Sequence, residues 1–510
     1  MSLYLGIDVS TQGVKCIVID TENGRIAAES NVNFGKDLPH YNSPDGFLHN
    51  ENSLICHANP LMWVDGLELA LERLQDTQIN MEEIRGISGS GQQHGTVYLA
   101  SEIQSYKDNK KLSEQLRNIF SRSTSPIWMD RSTKDICDEL NKHFGSQLIT
   151  KTGSPAIERF SGPQIRAFYQ RKPNEYHNTE KIHLVSSFMA SVLCGKNVGI
   201  DYGDGAGMNL LNLNTLNWDK ELVEFTAPNL AEKLPEIMPS NSIVGKLDKY
   251  FCRFGFKAGI PIVIWSGDNP NSLIGTGCFE RGVAAISLGT SDTFFMPMDK
   301  FHTDPYGYGH IFGNPAGGFM SLICFSNGSL AREKIRDLHK VDWHYFDVIA
   351  MQETIPGNNG KLMLPYFSAE STPVILQPRV VRNYDKATSA EEIRAILESQ
   401  ILSMRFHSEW IGENINRIRL TGGASSSPAI QQIVADVFNA EVEIIQVSNS
   451  AGLGSALRCA AAIDNIALPT LASHFCKSEK VASPRIGAHK IYKDLLKKYQ
   501  ELELNFMNLS

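Results

Sequence analysis

The sequence lacks three features that would place a protein of this size at a membrane or on nucleic acid. No apolar run approaches the roughly 20 residues of a membrane span, and the first residues have neither the basic start nor the apolar stretch of a signal peptide. There is no basic excess, since 48 Lys and Arg stand against 56 Asp and Glu, for a net charge of −8. We therefore expect no membrane partner and no nucleic-acid partner. This charge balance still allows a local basic pocket for one phosphorylated ligand.

Cysteines are few and have no paired spacing. The nine cysteines, an odd number, are scattered from Cys16 to Cys476 without any C-x-x-C pair. This pattern is typical of free thiols in a reducing compartment rather than of disulfides or a zinc site. The apolar content of 42% and the charged content of 20% are ordinary for a globular protein. At 510 residues the chain is long enough for several domains, and we predict a cytoplasmic enzyme.

Two glycine-containing loops fall short of the common nucleotide-binding motifs. Gly89 and Gly91 follow a predicted strand, but the third glycine of a dinucleotide fingerprint is missing and another strand comes next. Gly277 and Gly282 have the spacing of a P-loop, but Val283 stands where the phosphate-binding lysine belongs. No protein-kinase signature is present. A bound nucleotide must therefore be held by another scaffold.

A strand, a hydroxyl-rich loop and a second strand occur twice in the chain. The first copy has its loop at residues 9–13 and the second at residues 289–292, each between two apolar strands. Both loops set Ser and Thr side by side. Because such a repeat indicates two related domains, we predict an α/β protein with domains at 1–275 and 276–510. Ser-Thr turns are also common enough to recur by chance.

Four further predictions concern individual elements. The polar segment 101–126 is expected to form a surface insertion, and residues 203–207 to form a loop. Ser389 and Glu392 have the spacing of a capping box at the start of a long helix. A helix over residues 451–463 is expected to complete the second α/β unit.

Asp8 ends the first predicted strand, beside the hydroxyls of Ser10 and Thr11. Hydroxyls and backbone N–H groups in a tight turn can hold phosphate oxygens, and a carboxylate there can hold hydrated magnesium. Lys15 could neutralise phosphate charge. An aspartate that only caps a hairpin turn explains Asp8 equally well when it is considered alone. Together with the second loop, at residues 289–291, these residues favour a two-sided phosphate clamp.

Asp268 follows the most apolar predicted strand of the chain. Gly267 before it permits the close approach of a ligand. A carboxylate at this position could accept the proton of an alcohol that attacks a phosphoryl group. The sequence Gly-Asp-Asn-Pro is also that of a plain turn, which is the better interpretation when the motif is considered alone.

His94 and the segment 421–425 are the remaining candidates. His94 follows Gln92 and Gln93, and this mixture of donors and acceptors suits a polyhydroxyl ligand. A histidine buried in the core is the more frequent alternative. The segment 421–425 joins a strand to a helix, and its glycines would let a flat ring or a phosphate lie against the backbone. An ordinary tight turn is an equally good interpretation.

Taken together, these motifs resemble the FGGY carbohydrate kinases, the sugar-kinase branch of the actin and hexokinase superfamily. Their order and spacing carry the resemblance, which covers most of the chain. The matching segments are residues 6–12, 90–95, 128–130, 158–160, 204–210, 267–270, 287–293, 325–330 and 421–425.

The resemblance implies a fold and an activity. The expected fold is α/β, with two ribonuclease-H-like domains of the actin and hexokinase type and a central cleft. The expected activity is the ATP- and Mg²⁺-dependent phosphorylation of a sugar, and the branch that acts on D-xylulose in eukaryotes is the most similar. A kinase for ribulose, L-xylulose or glycerol, or a sugar sensor without catalysis, is the alternative. The sequence predicts no oligomeric state.

The resemblance also implies roles for individual residues. Asp268 would be the general base for the 5-hydroxyl of the sugar, and Asp8 would organise Mg²⁺ through water. The sugar would be bound by Gln93, His94, Arg159, Asp268 and Asn269. ATP would be bound by Ser10, Thr11, Gln12, Lys15, Gly289, Thr290, Gly422, Gly423 and Ser426.

Overall fold

A computed structural model describes residues 2–445, 447 and 449–508. The chain divides into two compact units, the first made of Met1–Gly277, Ile311–Phe319 and Ser448–Cys476, and the second of Cys278–His310, Met320–Val447 and Lys477–Ser510. The first boundary lies close to the division predicted at 275/276. Two later segments that group with the first unit do not follow from the prediction of two continuous domains.

The first unit is built on a mixed seven-stranded sheet. Its strand Leu3–Val9 is buried along its whole length, and it pairs antiparallel with Gly13–Asp20 and parallel with Ile84–Gly91. Burial of every residue explains why the strand does not alternate between apolar and polar residues and has Asp8 as its only charged residue. Across the sheet the order is Ile243–Lys246, Pro261–Val263, Ile84–Gly91, Leu3–Val9, Gly13–Asp20 and Arg25–Asn33, with Ser266–Gly267 also paired to Ile84–Gly91.

The central strands of the second seven-stranded sheet pair in the same way as those of the first. Val283–Leu288 pairs antiparallel with Asp292–Met298 and parallel with Arg417–Thr421, as the first strand of the chain does with its own neighbours. The full order is Ser478–Ala482, Glu441–Ile445, Arg417–Thr421, Val283–Leu288, Asp292–Met298, Phe319–Phe325 and His310–Gly313. The predicted repeat therefore extends from the two Ser-Thr loops to the pairing of the three central strands of each sheet, whereas the outer strands are arranged differently.

Helices cover the first sheet. In Pro60–Gln75 the side chain of Asn59 accepts a hydrogen bond from the Leu61 N–H at 3.0 Å, and proline occupies the first turn, which are the usual signals of a helix start. The other helices of this unit are Phe34–Asp37, Leu112–Leu116, Lys134–Phe144, Ser146–Thr152, Ser161–Arg171, Pro173–His177, Val185–Cys194, Tyr202–Gly205, Lys220–Thr226, Leu230–Lys233, Asp268–Gly275, Ser450–Asp464 and Leu468–Phe475.

The remaining elements are short strands and the helices of the second unit. The short strands pair as His57–Ala58 with Ser125–Pro126, Thr96–Leu99 with Lys181–Leu184, Ile200–Asp201 with Ile237–Met238, Leu211–Asn212 with Asn217–Trp218, and Met363–Tyr366 with Arg379–Arg382. The helices of the second unit are Ser329–His339, Trp343–Gln352, Ser389–His407, Pro428–Phe438 and Ala488–Asn508. Within the described ranges, no helix is both long and apolar enough to cross a membrane.

The helix Ser450–Asp464, which was predicted to complete the second α/β unit, groups with the first unit by its contacts. Glycine residues, which have no Cβ, explain its position. A Cβ on Gly6 would lie 2.0 Å from the carbonyl oxygen of Gly452, and a Cβ on Gly454 would lie 1.9 Å from that of Asn271. The helix backbone therefore lies directly against the first strand and against the helix that begins at Asp268.

A buried arginine also ties this helix to its surroundings. Arg458 donates to the Asn271 side-chain oxygen and to the Ser240 carbonyl, both at 2.7 Å. Burial lowers its pKa, whereas the negative charge of Asp201 raises it. Removing one partner from such a buried network leaves a polar group without compensation.

Two predictions about loops need correction. The segment 101–126 is not only a surface insertion, because it contains the helix Leu112–Leu116 and buries Ile103 and Tyr106 in the core of the first unit. Polar residues outnumber the apolar ones in this segment, so its sequence does not indicate that part of it is buried. Residues 203–207, predicted as a loop, lie in a helical turn, because the helix Tyr202–Gly205 runs into a 3₁₀ turn.

The capping box of the helix Ser389–His407 lies one residue before the predicted position. The Thr388 hydroxyl accepts from the Glu391 N–H at 3.2 Å, and the Glu391 carboxylate accepts from the Thr388 N–H at 2.9 Å. Thr388 with Glu391 and Ser389 with Glu392 have the same spacing. The motif alone could therefore not decide between them.

Gly454→Ala is expected to lower the free energy of unfolding by about 2 kcal/mol, because its Cβ would meet backbone that cannot move independently. An alanine in a helix interior otherwise stabilises it by roughly 1 kcal/mol over glycine. Urea unfolding followed by circular dichroism measures the difference.

Gly423→Ala is the matched control, because a Cβ there would meet no atom within 4 Å. The Gly423→Ala variant should have the same free energy of unfolding as the wild type or a slightly higher one. If Gly454→Ala behaved in the same way, the close backbone contact of this helix would be contradicted.

Candidate active site

Asp8 lies at the end of the first strand, in register with Lys15 on one side and Ser90 on the other. Its side chain is only 7% exposed, and its Oδ1 accepts a hydrogen bond from the Ser90 hydroxyl at 2.8 Å. Burial raises the pKa of Asp8 to about 6, while the Ser90 bond and the Lys15 charge oppose the shift. The carboxyl is therefore held where a nearby cation would stabilise its charged form.

The turn after Asp8 is tight and well supported. The N–H and the hydroxyl of Ser10 both donate to the Gly13 carbonyl, at 2.9 and 3.1 Å. Thr11 uses its hydroxyl twice, donating to the Gln92 side-chain oxygen at 3.3 Å and accepting from the Trp128 indole N–H at 2.8 Å. Gln12 and Lys15 are exposed beside it.

The sequence indicates Trp128 only as part of the matching segment 128–130 and gives it no role of its own. Its ring is 46% exposed although it is bonded to Thr11. A large exposed aromatic side chain fixed on the turn after Asp8 is a functional signal that only the three-dimensional contact reveals.

Asp268 begins the helix Asp268–Gly275, so the Gly-Asp-Asn-Pro sequence starts a helix and is not an isolated turn. Its carboxylate accepts from the backbone N–H of Asn269 at 2.9 Å and from that of Gln93. Burial, followed by the negative charge of Asp8, raises the pKa of Asp268 to about 7. A carboxylate with this pKa can accept a proton near neutral pH.

His94 lies in the same unit as Asp8 and Asp268. Its Nδ1 donates to the Gly207 carbonyl at 3.0 Å, and its ring stacks on Phe160 with centroids 4.4 Å apart. This donation assigns the proton to Nδ1 and makes Nε2 the acceptor of the neutral ring. The backbone φ of His94 is +67°, a region that non-glycine residues rarely adopt and that is frequent at functional sites.

Further polar side chains lie beside these residues. The Gln93 side-chain oxygen accepts from the Asn269 side-chain N–H₂ at 2.5 Å, which joins two predicted sugar-binding residues. The guanidinium of Arg159 lies 5.7 Å from the centroid of Phe160, the ring on which His94 stacks. Phe160 therefore supports two candidates at once, a role that the sequence did not indicate.

In the second unit, the loop at Gly289 is held by a buried ion pair. The Gly289 N–H donates to Asp292 Oδ1 at 3.1 Å, and Arg332 donates to both oxygens of Asp292 at 2.8 and 3.0 Å. Thr290 in this loop is exposed. A Cβ on Gly328 would lie 2.7 Å from the Thr290 carbonyl oxygen. Asp292 and Arg332 are thus supporting residues that the sequence analysis did not single out.

The glycine pair of the second unit lies next to that loop. Gly422 has a φ of +86°, and a Cβ there would be 2.3 Å from the carbonyl oxygen of Leu288, the residue before Gly289. Only glycine fits this position without strain. Gly423 begins a 3₁₀ turn that ends at Ser426, and both are exposed. The structure therefore brings together the two candidate nucleotide loops of this unit.

A metal ion at this site would need ligands from a substrate or from water in addition to those of the protein. Among the described residues, no group of three or more His, Cys, Asp or Glu side chains is arranged to hold a metal. Magnesium commonly takes one or two carboxylates, with water and phosphate oxygens supplying the rest. The buried Asp8 carboxyl, which is bonded to a neutral hydroxyl and lies near a second carboxyl, fits such a partial site.

Comparisons with known proteins cover both halves of the chain. Residues 3–275 match the N-terminal domain of the FGGY family of carbohydrate kinases, and residues 284–463 match its C-terminal domain. A xylulose kinase from Rattus norvegicus is 40% identical, over 99% of this chain and 97% of that protein.

Solved structures share the fold. A ligand-bound xylulose kinase from Lactobacillus acidophilus has a TM-score of 0.84, with 21% identity over 99% of both chains. A gluconate kinase from the same organism also has a TM-score of 0.84, with 22% identity over 99% of this chain and 98% of that one. The fold is thus common to kinases named for different sugars.

Replacing Asp268 by Asn should stabilise the free protein at high pH. The folded protein retains the Asp268 proton up to a pKa of about 7, whereas the unfolded chain loses it near pH 4. Wild-type stability therefore falls relative to the variant as the pH rises through this window. Thermal unfolding should show a higher midpoint for Asp268→Asn at pH 8, and nearly equal midpoints at pH 4.

The exposed Asp108 provides the control. Asp108→Asn should follow the wild type across the same pH range. An equal offset for Asp268→Asn at pH 4 and at pH 8 would contradict the raised pKa.

Proposed function

The chain belongs to the FGGY family of carbohydrate kinases, and from this premise we propose that it transfers the γ-phosphoryl group of ATP to D-xylulose. The products would be D-xylulose 5-phosphate and ADP. The observation that carries the proposal is the 40% identity to a xylulose kinase over nearly the full length of both chains. Identity of this extent and coverage bears on the sugar as well as on the fold.

Asp268 is proposed as the general base. The 5-hydroxyl oxygen of the sugar forms the new bond to phosphorus, its proton passes to the Asp268 carboxylate, and the bond from the γ-phosphorus to the bridging oxygen of ADP breaks. Its pKa of about 7 supports this role, since a base with a pKa near the working pH is the most effective. Such a base contributes roughly 10²- to 10⁴-fold to the rate.

Asp8 is proposed to hold Mg²⁺ through water. When bound, Mg²⁺ neutralises charge on the phosphate oxygens during transfer. The tight turn supports a role in binding the transferred phosphate, with the residues being Ser10, Thr11, Gln12 and Lys15. Since phosphoryl transfer depends mainly on positioning and charge neutralisation, a rigid turn with an exposed lysine is suited to it.

In the second unit, two loops are proposed to bind the nucleotide. Gly289 and Thr290 would contact its phosphates, and Gly422, Gly423 and Ser426 would contact the adenosine. The open space around Gly423 and the exposure of Ser426 support this assignment. Backbone without side chains lets a flat ring approach closely.

The sugar is proposed to bind through groups of both hydrogen-bonding types. His94 Nε2 would accept from a hydroxyl, Arg159 would donate to an oxygen, and Asn269 can do either. Gln93 completes the set. A polyhydroxyl ligand needs such a mixture because each hydroxyl is both a donor and an acceptor.

A kinase for another sugar is the second candidate function. The equal TM-scores to a xylulose kinase and a gluconate kinase show that the fold does not select the sugar. The choice therefore depends on side chains such as Gln93 and Arg159.

We expect D-xylulose to give the highest kcat/KM in a coupled assay of ADP release with ATP and Mg²⁺. The panel should include L-xylulose, D-ribulose, L-ribulose, gluconate and glycerol. A clear preference for another acceptor would overturn the substrate while keeping the kinase. No turnover on any acceptor, with sugar binding intact, would favour a non-catalytic sensor.

Asp268→Asn is expected to lower kcat by about 10²- to 10⁴-fold, because the amide cannot accept the proton. Binding of D-xylulose, measured by isothermal titration calorimetry, should persist within a few-fold. Asp108→Asn is again the control and should keep wild-type turnover. Wild-type kcat in Asp268→Asn would show that another group is the base.

A further inference from the structure

Asp204 is a buried acid that the proposed mechanism does not use. Its side chain is 1% exposed, and its Oδ2 accepts from the Ser186 hydroxyl at 2.5 Å. No donor reaches its Oδ1 from the part of the chain that the structure describes. Burial, with the charges of Asp201 and Asp268 nearby, raises its pKa well above the usual range. A buried oxygen without a donor is costly and calls for an explanation.

Within the described part of the chain, Gln93 has a buried donor without an acceptor, whereas Asp204 has a buried acceptor without a donor. The Gln93 side-chain oxygen is occupied by the Asn269 amide, but its Nε2 is buried and has no acceptor among the described residues. One neighbouring side chain thus lacks a donor and the other lacks an acceptor.

Gly267 shows that these two atoms face the same point. A Cβ placed on Gly267 would lie 2.8 Å from Asp204 Oδ1 and 2.9 Å from Gln93 Nε2. Because glycine has no Cβ, no side chain separates the two atoms. The two atoms therefore border the same small space beside Gly267.

The chemistry of the three groups then determines how the Gln93 amide is turned. The N–H₂ of Asn269 on one side requires the side-chain oxygen of Gln93, so the N–H₂ of Gln93 faces Asp204 Oδ1, which can accept it. The reversed amide would place the N–H₂ of Gln93 against the N–H₂ of Asn269.

We propose that Asp204 is a positioning residue of the sugar site, which accepts a hydrogen bond from Gln93 Nε2 and thereby fixes the side-chain amides of Gln93 and Asn269. This inference rests on the proposed function, in which both amides bind the sugar. Asp204 itself does not touch the sugar.

The consequence concerns the hydroxyl that Asn269 recognises. Its N–H₂ donates to Gln93 and to Asp268 Oδ1, at 2.5 and 3.2 Å, while its carbonyl oxygen accepts no hydrogen bond from any described residue. With the amide fixed, Asn269 offers an acceptor, which selects a sugar hydroxyl that donates. Loss of Asp204 would free the Gln93 amide to rotate, would leave the Asn269 amide held by Asp268 alone, and would weaken this selection.

An exchange of the acid and the amide tests the proposal. Gln93→Glu alone places two carboxyl groups against each other and should raise the KM for D-xylulose by about ten-fold or more, with the KM for ATP unchanged. Adding Asp204→Asn restores a donor facing an acceptor. The double variant should recover a KM for D-xylulose within about three-fold of wild type and a higher unfolding midpoint than Gln93→Glu alone.

Asp201→Asn combined with Gln93→Glu is the matched control. Asp201 is also a buried acid near Asp204, but its oxygens accept from the hydroxyls of Ser240 and Ser266. This pair should not recover, because it removes a negative charge without supplying a donor to residue 93. Equal recovery in both double variants would reduce the effect to net charge and overturn the proposal.

The unfolding midpoints separate this inference from the proposed function. If wild type phosphorylates D-xylulose but the exchange restores neither the KM nor the midpoint, the Asp204 proposal fails alone. If wild type does not act on D-xylulose, the substrate assignment fails. Recovery of the midpoint without sugar then still supports the pairing of Asp204 and Gln93, and its absence overturns it.

Discussion

Contact between bare backbones along one helix determines the geometry of the first unit. The helix Ser450–Asp464 touches the first strand at Gly6 and the helix of Asp268 at Asn271, and in both places a single methyl group would collide with a carbonyl oxygen. Asp8 lies two residues after Gly6, on the same face of the strand. Asp268 lies about one helical turn before Asn271. The helix therefore fixes the two elements that carry the two candidate carboxyl groups, and the separation of those groups depends on it.

The two carboxyl groups are held in surroundings that oppose their charge. Asp8 receives one hydroxyl bond and Asp268 receives backbone N–H bonds, but burial outweighs these contributions in both cases. An acid kept partly protonated near neutral pH destabilises the free protein when it ionises. The proposed roles, Asp268 as a base and Asp8 at a cation, depend on the same property. Proposed function and stability are thus opposed at these two positions, and rigid packing of the surrounding helix and sheet holds the acids in place.

Local patterns in the sequence were sufficient for much of this structure. The hairpin around the turn at residues 10–12, the repeated loop at 289–291 and the position of Asp268 after a buried strand all depend on residues that are close in sequence. The resemblance of ordered motifs to the FGGY kinases correctly indicated the family and the α/β fold. Roles that the same resemblance implied for single residues are not decided by the fold.

What the sequence did not indicate depends on long-range contacts. The helix after residue 450 looked like the end of the second unit because its glycines have meaning only against Gly6 and Asn271, which lie far away in the chain. Phe160 and Trp128 lay within matching motifs, but their partners His94 and Thr11 could not be paired with them from spacing. Two equivalent capping boxes at Thr388 and Ser389 could be distinguished only by the geometry of the helix end.

The late position of that helix has a consequence for biosynthesis. A domain whose central sheet is covered by a segment made after residue 449 cannot complete its core while the ribosome is still translating the preceding residues. During that time the face of the strand Leu3–Val9 around Gly6 lacks its native cover. Contacts between segments more than 400 residues apart also slow folding, since a long loop must close before they form. The nascent chain therefore spends most of its synthesis with an incomplete first unit, in the state that molecular chaperones recognise by its exposed apolar surface.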